Sequence, residues 1–577
     1  MMVDSDSDAS HVAKYCQGGG SLEQLLLSVT QTDSAGVVAN GDAARKRKHS
    51  IIGSSNATDI QALCVDETIT KVERVDAMTD VELYRRPGPV QRKTNLRGSR
   101  ARAHRSRNLK DTTSEAIQNH QVAEAIAALE ALGCANTRGE GQTLCAMSDS
   151  MNSKGNMQSL QASGDLPDVE IVEDISFGSD EGSAMIELAF DIAPNATYKF
   201  NTAFRGMEAM AEDIVTLAGP DHSCDIIVDD VTYFSVTSFR DSEIAKAVDA
   251  AVKDHDVLYF SSAGNFGKAI DFTLDLECSQ DFLHDGESTT VSPCESGWAT
   301  HVFDQSAEDY FERYFFEIVN LSRKPVVLQW DEDDGKARDM VINVWMFDED
   351  TGELKLMEVG DESTNDAWEF VYLPAAGPFY ITLHQNQGPD TSSVYAQMVK
   401  DTKLPGAKDS AMYGHACASK AISVAAIDRF FANGPSNEFE DPEYSIVEDF
   451  SSRGKCHVRK KASKKLKQRK HPVTTASNGM STSTEGFSSF YGTSASAPVA
   501  AAIAALIRGA CAPHRVVTRD DMMEMLTNYD YTIDYVSDAE RAERKFGVDA
   551  GYGIISALKM TKWVEENCPQ TCPGEHP

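Results

Sequence analysis

Ser494 is the side chain in this sequence best placed to do chemistry. The run from Gly486 to Arg508 reads Gly-Phe-Ser-Ser-Phe-Tyr-Gly-Thr-Ser-Ala-Ser-Ala-Pro-Val-Ala-Ala-Ala-Ile-Ala-Ala-Leu-Ile-Arg. A polar turn ending in Gly492-Thr493-Ser494 thus passes directly into a helix of small residues. Pro498 is expected in the first turn of that helix, where its missing N–H costs nothing. A hydroxyl held at a helix N-terminus faces the positive end of the dipole, which favours negative charge developing there. The chemistry this suits is nucleophilic attack. Ala500, Ala501, Ala502 and Ala504 make the helix so slim that it must be deeply packed. The same pattern also fits a buried Ala-rich helix with Ser as its cap.

The elements that must position this serine follow an α/β rhythm. Strand signals at Thr143 to Met147, Val169 to Val172, Thr197 to Asn201, Asp225 to Val228 and Val257 to Ser261 alternate with helix signals at Glu181 to Phe190, Met207 to Leu217 and Ser242 to Lys253. Such alternation predicts a doubly wound, mostly parallel sheet. Functional groups gather at the carboxyl ends of the strands of such sheets. Asp149, Asp229, Asp230 and the turn Ser262-Ala263-Gly264-Asn265 all sit at such ends. The rhythm stops near Phe272. Short strands at Pro325 to Trp330, Val341 to Phe347, Leu354 to Val359, Trp368 to Leu373 and Phe379 to Leu383, parted by acidic turns, predict an inserted β-sandwich. The α/β pattern resumes at Ala421 to Ile427 and closes with a helix from Ile554 to Trp563. The expected organisation is a disordered or propeptide-like region over 1–115, an α/β domain in two parts over 116–271 and 410–565, the insertion over 272–409, and a tail over 566–577. An amphipathic helix from Thr113 to Leu132 is its first packed element.

A chain of 577 residues, 41% hydrophobic and 25% charged, needs more than one core. Its formal charge of -35 argues against a nucleic-acid partner. No apolar run of about 20 residues predicts a membrane span. Basic residues are concentrated: ten of the 54 Lys and Arg fall between Arg453 and Lys470, with no acid among them. Like charges keep such a run solvated, so it is expected to be an exposed, mobile loop, one able to dock on the protein's own acidic surface. A similar basic stretch, Arg85 to Lys110, contains candidate processing sites at Arg97-Gly98-Ser99-Arg100 and Arg105-Ser106-Arg107. Twelve Cys are too sparse for a disulfide scaffold. Cys134, Cys145, Cys224 and Cys511 are expected as buried thiols, and Cys278 with Cys294 or Cys568 with Cys572 as bridges if the chain is secreted. The start, Met-Met-Val-Asp-Ser-Asp-Ser-Asp, lacks the features of a signal peptide. Asp331, Asp333 and Asp334 match no fixed ligand spacing and read as a solvated turn, so no metal or cofactor is predicted.

The Gly-Thr-Ser-X-X-X-Pro pattern resembles the nucleophile motif of the subtilisin-like serine proteases, the subtilases. Leu144-Cys145-Ala146-Met147-Ser148-Asp149-Ser150 resembles their Asp strand, and Ser261-Ser262-Ala263-Gly264-Asn265-Phe266-Gly267 their oxyanion turn. Phe450-Ser451-Ser452-Arg453-Gly454 looks like the family's Phe-Ser-X-X-Gly, and Gly551-Tyr552-Gly553 like its closing helix approach. The resemblance spans about 140–270 and 410–560, and implies a serine endopeptidase acting on polypeptides, with Ser494 as nucleophile, Asp149 as orienting acid and Asn265 as oxyanion donor. The compartment is left open: the resemblance implies export, whereas the absence of signal-peptide features at the start leaves an unusual route, an incomplete start or an intracellular protein as the readings. The oligomeric state is left open as well.

The family's catalytic His is missing. Its His-Gly-Thr-His helix start appears here as Asp180-Glu181-Gly182-Ser183-Ala184-Met185, with Glu181 on the His position. Asp191-Ile192-Ala193-Pro194-Asn195-Ala196, similar to Val-Ala-Pro-X-Ala, anchors the alignment. A Glu base paired with Ser is also used by the sedolisins, which place a second carboxylate one turn later, where this chain has Met185. Asp149 is the expected partner, giving a coupled acid pair. The alternatives are that Glu181 is a helix-end acid in a protein that has lost catalysis and serves as a peptide- or protein-binding module, or that His415 is the base. A lone His beside Gly in a loop is more often structural. Asp229 and Asp230 either line the substrate site and select basic side chains or hydrogen-bond loop amides.

Overall fold

The computed structural model describes residues 112–568 apart from several loops, the longest of them 289–298, 400–409, 430–446 and 534–545, and four short strands before residue 80. The bridge expected at Cys278–Cys294, the processing sites between Arg97 and Arg107, and Asp334 fall outside the described residues, and the bridge expected at Cys568–Cys572 is overturned, because Cys568 is bonded to Cys511.

Nine strands form the central sheet. In spatial order they are Thr532–Ile533, Ile554–Ile555, Thr474–Asn478, Ile422–Asp428, Leu258–Ser262, Ile226–Asp229, Thr143–Ser148, Thr197–Thr202 and Val169–Glu173. Every pairing is parallel except that between the two edge segments Thr532–Ile533 and Ile554–Ile555. The first strand of this sheet in chain order, Thr143–Ser148, lies in the middle, between Thr197–Thr202 and Ile226–Asp229. The winding direction therefore reverses beside its carboxyl end, the point at which doubly wound sheets open a crevice. Asp149 is the next residue.

The strands are apolar runs because both faces are covered. The helices Glu181–Ile192 and Thr493–Cys511 pack against each other and share one buried cluster with Leu144, Phe200, Val228 and Phe260. The helices Met207–Ala218 and Glu243–His255 cover a second cluster containing Cys145, Ile227 and Tyr259. The helix Thr493–Cys511 is long and apolar enough to pass for a membrane span, which the sequence reading allowed to no segment. It is wholly buried, the condition of a core helix. Pro498 is its sixth residue, past the first turn, and lacks the N–H that would bond the Ser494 carbonyl.

Some boundaries differ from expectation. The first amphipathic helix is broken into Ala116–Asn119 and Val122–Ala131, because Gln121 adopts φ 56°. The closing segment spends Ile554–Ile555 as a strand before its helix, Ala557–Asn567, begins. Among the described residues, 269–399 carry two larger antiparallel sheets, a two-stranded pair of Leu283–His284 with Glu287–Ser288, and one short helix, Tyr310–Tyr314. The four-stranded sheet contains Ala269–Leu274, Val394–Val399, Pro325–Trp330 and Trp368–Tyr372. Six strands make the other, with Asp339–Phe347 and Gly377–Asn386 at its centre. Side chains of both enter one buried cluster that includes Leu274, Trp330, Ile342, Phe379 and Met398.

The cysteines correct the thiol expectation. Cys145 is bonded to Cys224, Cys511 to Cys568, and Cys417 to Cys456, and Cys134 is also oxidised. Apolar surroundings do not separate a buried thiol from a buried disulfide. The described ends of the basic run dock on acidic groups, as the expectation for it allowed. Cys456–Arg459 and Leu466–Arg469 pair as a hairpin, and the Cys417–Cys456 bond ties it down. Arg459 pairs with Asp331 and Arg469 with Asp241. Residues 460–465, between the two strands, lie outside the described residues.

Candidate active site

Asp149, Glu181, Asn265 and Ser494 are all buried, none more than 1% exposed. Glu181 is the first residue of its helix. The N–H groups at a helix start have no partner within the helix. Here Asp149 supplies them: its carboxylate accepts the Glu181 N–H at 3.2 Å, the Ser179 N–H, and the Ser179 hydroxyl at 2.6 Å. It also accepts the N–H of Ser150, and the Gly182 N–H donates to the Ser150 carbonyl at 3.0 Å. Burial raises the Asp149 pKa despite the donors from Ser179, Ser150 and Glu181. The contact seen between the two expected partners is therefore from the Asp149 carboxylate to the Glu181 main chain. Gly182 is obligatory at this entry, since a Cβ there would lie 2.3 Å from the Phe200 ring and 2.8 Å from the Ser150 carbonyl oxygen.

Three residues missed in the sequence complete this corner. Asp180, at φ 63°, accepts the Ser150 hydroxyl at 2.9 Å, the Ser153 N–H at 2.7 Å and the Lys154 N–H at 2.9 Å. It so fixes the turn after Asp149. Glu187, buried on the Glu181 helix, accepts the Ser483 N–H at 2.5 Å and the Thr484 N–H and hydroxyl at 3.1 and 3.0 Å. It thereby holds the segment leading to Ser494. Burial drives its pKa up to about 7 against those donors. A carboxylate inside an otherwise apolar helical run was the signal that could have found it. Ser179 left no signal.

The other side of the site is built around Thr493. Its N–H and hydroxyl both donate to the Asn265 side-chain oxygen at 3.0 Å, and its hydroxyl accepts the Gly264 N–H at 3.1 Å. Ser452 accepts the Phe266 N–H at 2.9 Å and donates its own N–H to the Gly264 carbonyl at 2.8 Å. The Phe-Ser-X-X-Gly segment is thus the support of the turn. Gly454 admits no other residue, because a Cβ would lie 1.5 Å from the His471 carbonyl oxygen. Ser494 follows Thr493 in the first turn of its helix, and its hydroxyl is buried with no hydrogen-bond partner among the described residues.

Asp229 and His415 form a separate pair. His415 Nε2 lies 2.8 Å from Asp229 Oδ1, which also accepts the Ser261 hydroxyl at 3.1 Å. Both side chains are buried. Asp230 is buried beside them in the chain. No group of three or more His, Cys, Asp or Glu among the described residues is arranged to hold a metal ion.

The subtilase family model matches residues 390–553. This segment includes Ser494 and His415 but not Asp149, Glu181 or Asn265. No curated protein matches the chain. Among solved structures, the CspB protease of Clostridium perfringens is similar at 12% identity and TM-score 0.44, covering 78% of this chain and 99% of its own. A Pseudomonas sedolisin, a serine-carboxyl proteinase, is similar at 10% identity and TM-score 0.31, covering 76% and 98%. A lanthipeptide protease is similar at 13% identity and TM-score 0.35, covering 78% and 95%. The large, mostly parallel sheet and its helices are the subtilase type of α/β fold.

Proposed function

We propose that this chain, with a subtilase fold and subtilase sequence over 390–553, is a serine-type endopeptidase that hydrolyses peptide bonds through an acyl-enzyme. The observation that carries the reading is the Ser494 hydroxyl, buried and without a hydrogen-bond partner among the described residues, one residue from the Thr493 that fixes Asn265. Ser494 Oγ attacks the peptide carbonyl and Glu181 takes its proton. The Asn265 side-chain amide and the Ser494 N–H stabilise the oxyanion. Protonated Glu181 then gives its proton to the leaving amine, and water repeats the cycle on the ester. Asp149 acts here through the main chain, by holding the start of the Glu181 helix.

A carboxylate with an ordinary pKa of about 4.3 is a weak base at neutral pH. Activity is therefore expected at roughly pH 4 to 6. The segment Val231–Tyr233, which follows Asp229 and Asp230, pairs antiparallel with Ala77–Thr79. An edge that takes one extended segment can take another, which supports peptide docking by strand addition. The N-terminal region would then be a propeptide-like occupant of that edge, and 272–409 an inserted β-sandwich domain. The disulfides support an oxidising, extracellular setting.

A second reading, a non-catalytic peptide-binding module, draws on the missing His and on the use of Asp149 for main-chain donors. Labelling by a serine-directed fluorophosphonate between pH 4 and 8 separates the two. Labelling of the native chain that is lost in Ser494→Ala supports the peptidase. No labelling at any pH supports the module.

A further inference from the structure

The two-sheet region meets the α/β domain through one face of its four-stranded sheet. Side chains alternate along a strand, so Trp368, Phe370 and Tyr372 of Trp368–Tyr372 share a face. Val371, on the opposite face, enters the cluster between the two sheets. Phe370 packs instead with Phe234 and Phe266. Gln329, opposite Trp368 on the neighbouring strand and wholly buried, donates its amide to the Phe234 and Val236 carbonyls at 3.3 and 2.8 Å.

Phe234 and Phe266 stand at informative places in the chain. Phe234 directly follows the edge segment Val231–Tyr233, and Phe266 directly follows Asn265. The two segments leave the carboxyl ends of adjacent parallel strands, Ile226–Asp229 and Leu258–Ser262. Their rings meet edge to face with centroids 6.5 Å apart, and Phe234 also meets Phe370 at 5.4 Å and Tyr372 at 6.4 Å. Register fixes the level of Tyr372. It lies opposite Pro325, two residues before Val327, and Val327 lines up through Val399 with Ala269. Tyr372 is therefore level with Gly267, at the end of the sheet where the chain arrives from the Asn265 turn. Of the four rings Tyr372 is the exposed one, at 40% against 3% or less for the others.

A peptide running along Val231–Tyr233, as Ala77–Thr79 does, with a carbonyl at Asn265 would set the side chain before that carbonyl between the two segments. The gap between them ends on this group of rings. Asp229, the charged group near it, is already committed to His415 and the Ser261 hydroxyl.

We infer that Tyr372 is a specificity-determining residue: carried to the site by the two-sheet region, it meets the side chain on the amino side of the scissile bond and selects an aromatic one. This assignment rests on the peptidase reading. Ring pairs held edge-on or offset are stabilised beyond their buried area, which favours Phe over Ala at that position.

The test is the rate at which diphenyl phosphonates carrying a Phe, Ala or Arg side chain beside phosphorus label Ser494 in the full chain, with a plain fluorophosphonate as reference. The Phe probe is expected to label at least about tenfold faster than the Ala probe. Tyr372→Ala should lower that ratio about three- to tenfold, and Tyr372→Phe, which keeps the ring, should retain it. Equal rates for Phe and Ala, a faster Arg probe, or an unchanged ratio in Tyr372→Ala would overturn the assignment while fluorophosphonate labelling leaves the peptidase reading standing. Absence of labelling by the fluorophosphonate itself would remove the peptidase reading and the assignment with it.

Discussion

The Asn265 side-chain oxygen accepts both the N–H and the hydroxyl of Thr493, each at 3.0 Å. Of the two ends of a side-chain amide only the oxygen can accept an N–H, so the orientation of the amide is fixed and its NH2 group is turned away from Thr493. The residue before the nucleophile thus aims the expected oxyanion donor. Asn265→Ala should lower kcat by about 10²- to 10³-fold with little change in KM, the loss typical of removing one such donor. Thr493→Val should produce a smaller loss of the same kind, because the Asn265 amide survives without its guide. Steady-state kinetics on a peptide substrate checks both. A change confined to KM in Asn265→Ala would remove it from the oxyanion role.

Glu187 makes stability depend on pH. Its folded pKa of about 7 lies above the ordinary carboxyl value, so the folded chain binds this proton more tightly than the unfolded chain does. The sign follows: the protonated group is tolerated at low pH, and stability is lost as pH rises from about 4.5 to 7. The full effect is of the order of 3 kcal/mol, from about 1.4 kcal/mol per pKa unit. Glu187→Gln does not titrate. Its unfolding free energy relative to the native chain should therefore rise across that window and level off above it. A difference that is flat from pH 4 to 8 would refute the shift. The facing groups are Ser483, Thr484 and the more distant Asp165, which pushes the same way as burial.

The docked hairpin makes two unequal ion pairs. Asp331 is 4% exposed and is met by Arg459, with Arg240 at 3.8 Å, whereas Asp241 is 33% exposed against Arg469. Removing the partner of a buried charge costs up to about 3 to 5 kcal/mol, and an exposed pair about 0 to 1. Arg459→Ala should therefore lower the denaturation midpoint clearly, and Arg469→Ala little. Equal effects in chemical denaturation would mean that Arg240 already satisfies Asp331.

The strands and helices of the α/β domain were legible because each is a continuous apolar run or carries a helical period, as at Thr197–Thr202 and Glu181–Ile192. Ser494 and Asn265 were legible because short glycine-bearing turns place them where a strand or loop meets a helix. The support around them was not. Asp180 and Thr493 act through contacts to residues 26 or more positions away, and sequence spacing carries no trace of such partners. The partners of the basic run were hidden for a related reason: its charge was visible, but the acids that receive it, Asp241 and Asp331, lie more than a hundred residues upstream.

His415 offers the sharpest discrimination between bases. Its Nε2 is 2.8 Å from Asp229 Oδ1, and both groups are buried beneath the carboxyl edge of the sheet. A ring nitrogen committed to a buried carboxylate is held in place by it, so we expect His415 to be structural. His415→Ala should destabilise the fold by several kcal/mol, because it leaves Asp229 buried without its partner. His415→Gln, which retains a donor, should recover much of that loss. In neither folded variant should the pH of maximal serine labelling move, whereas Glu181→Gln should abolish labelling. The opposite pattern, with labelling lost in His415→Gln and kept in Glu181→Gln, would transfer the role of base to His415 and shift the expected optimum toward neutral pH.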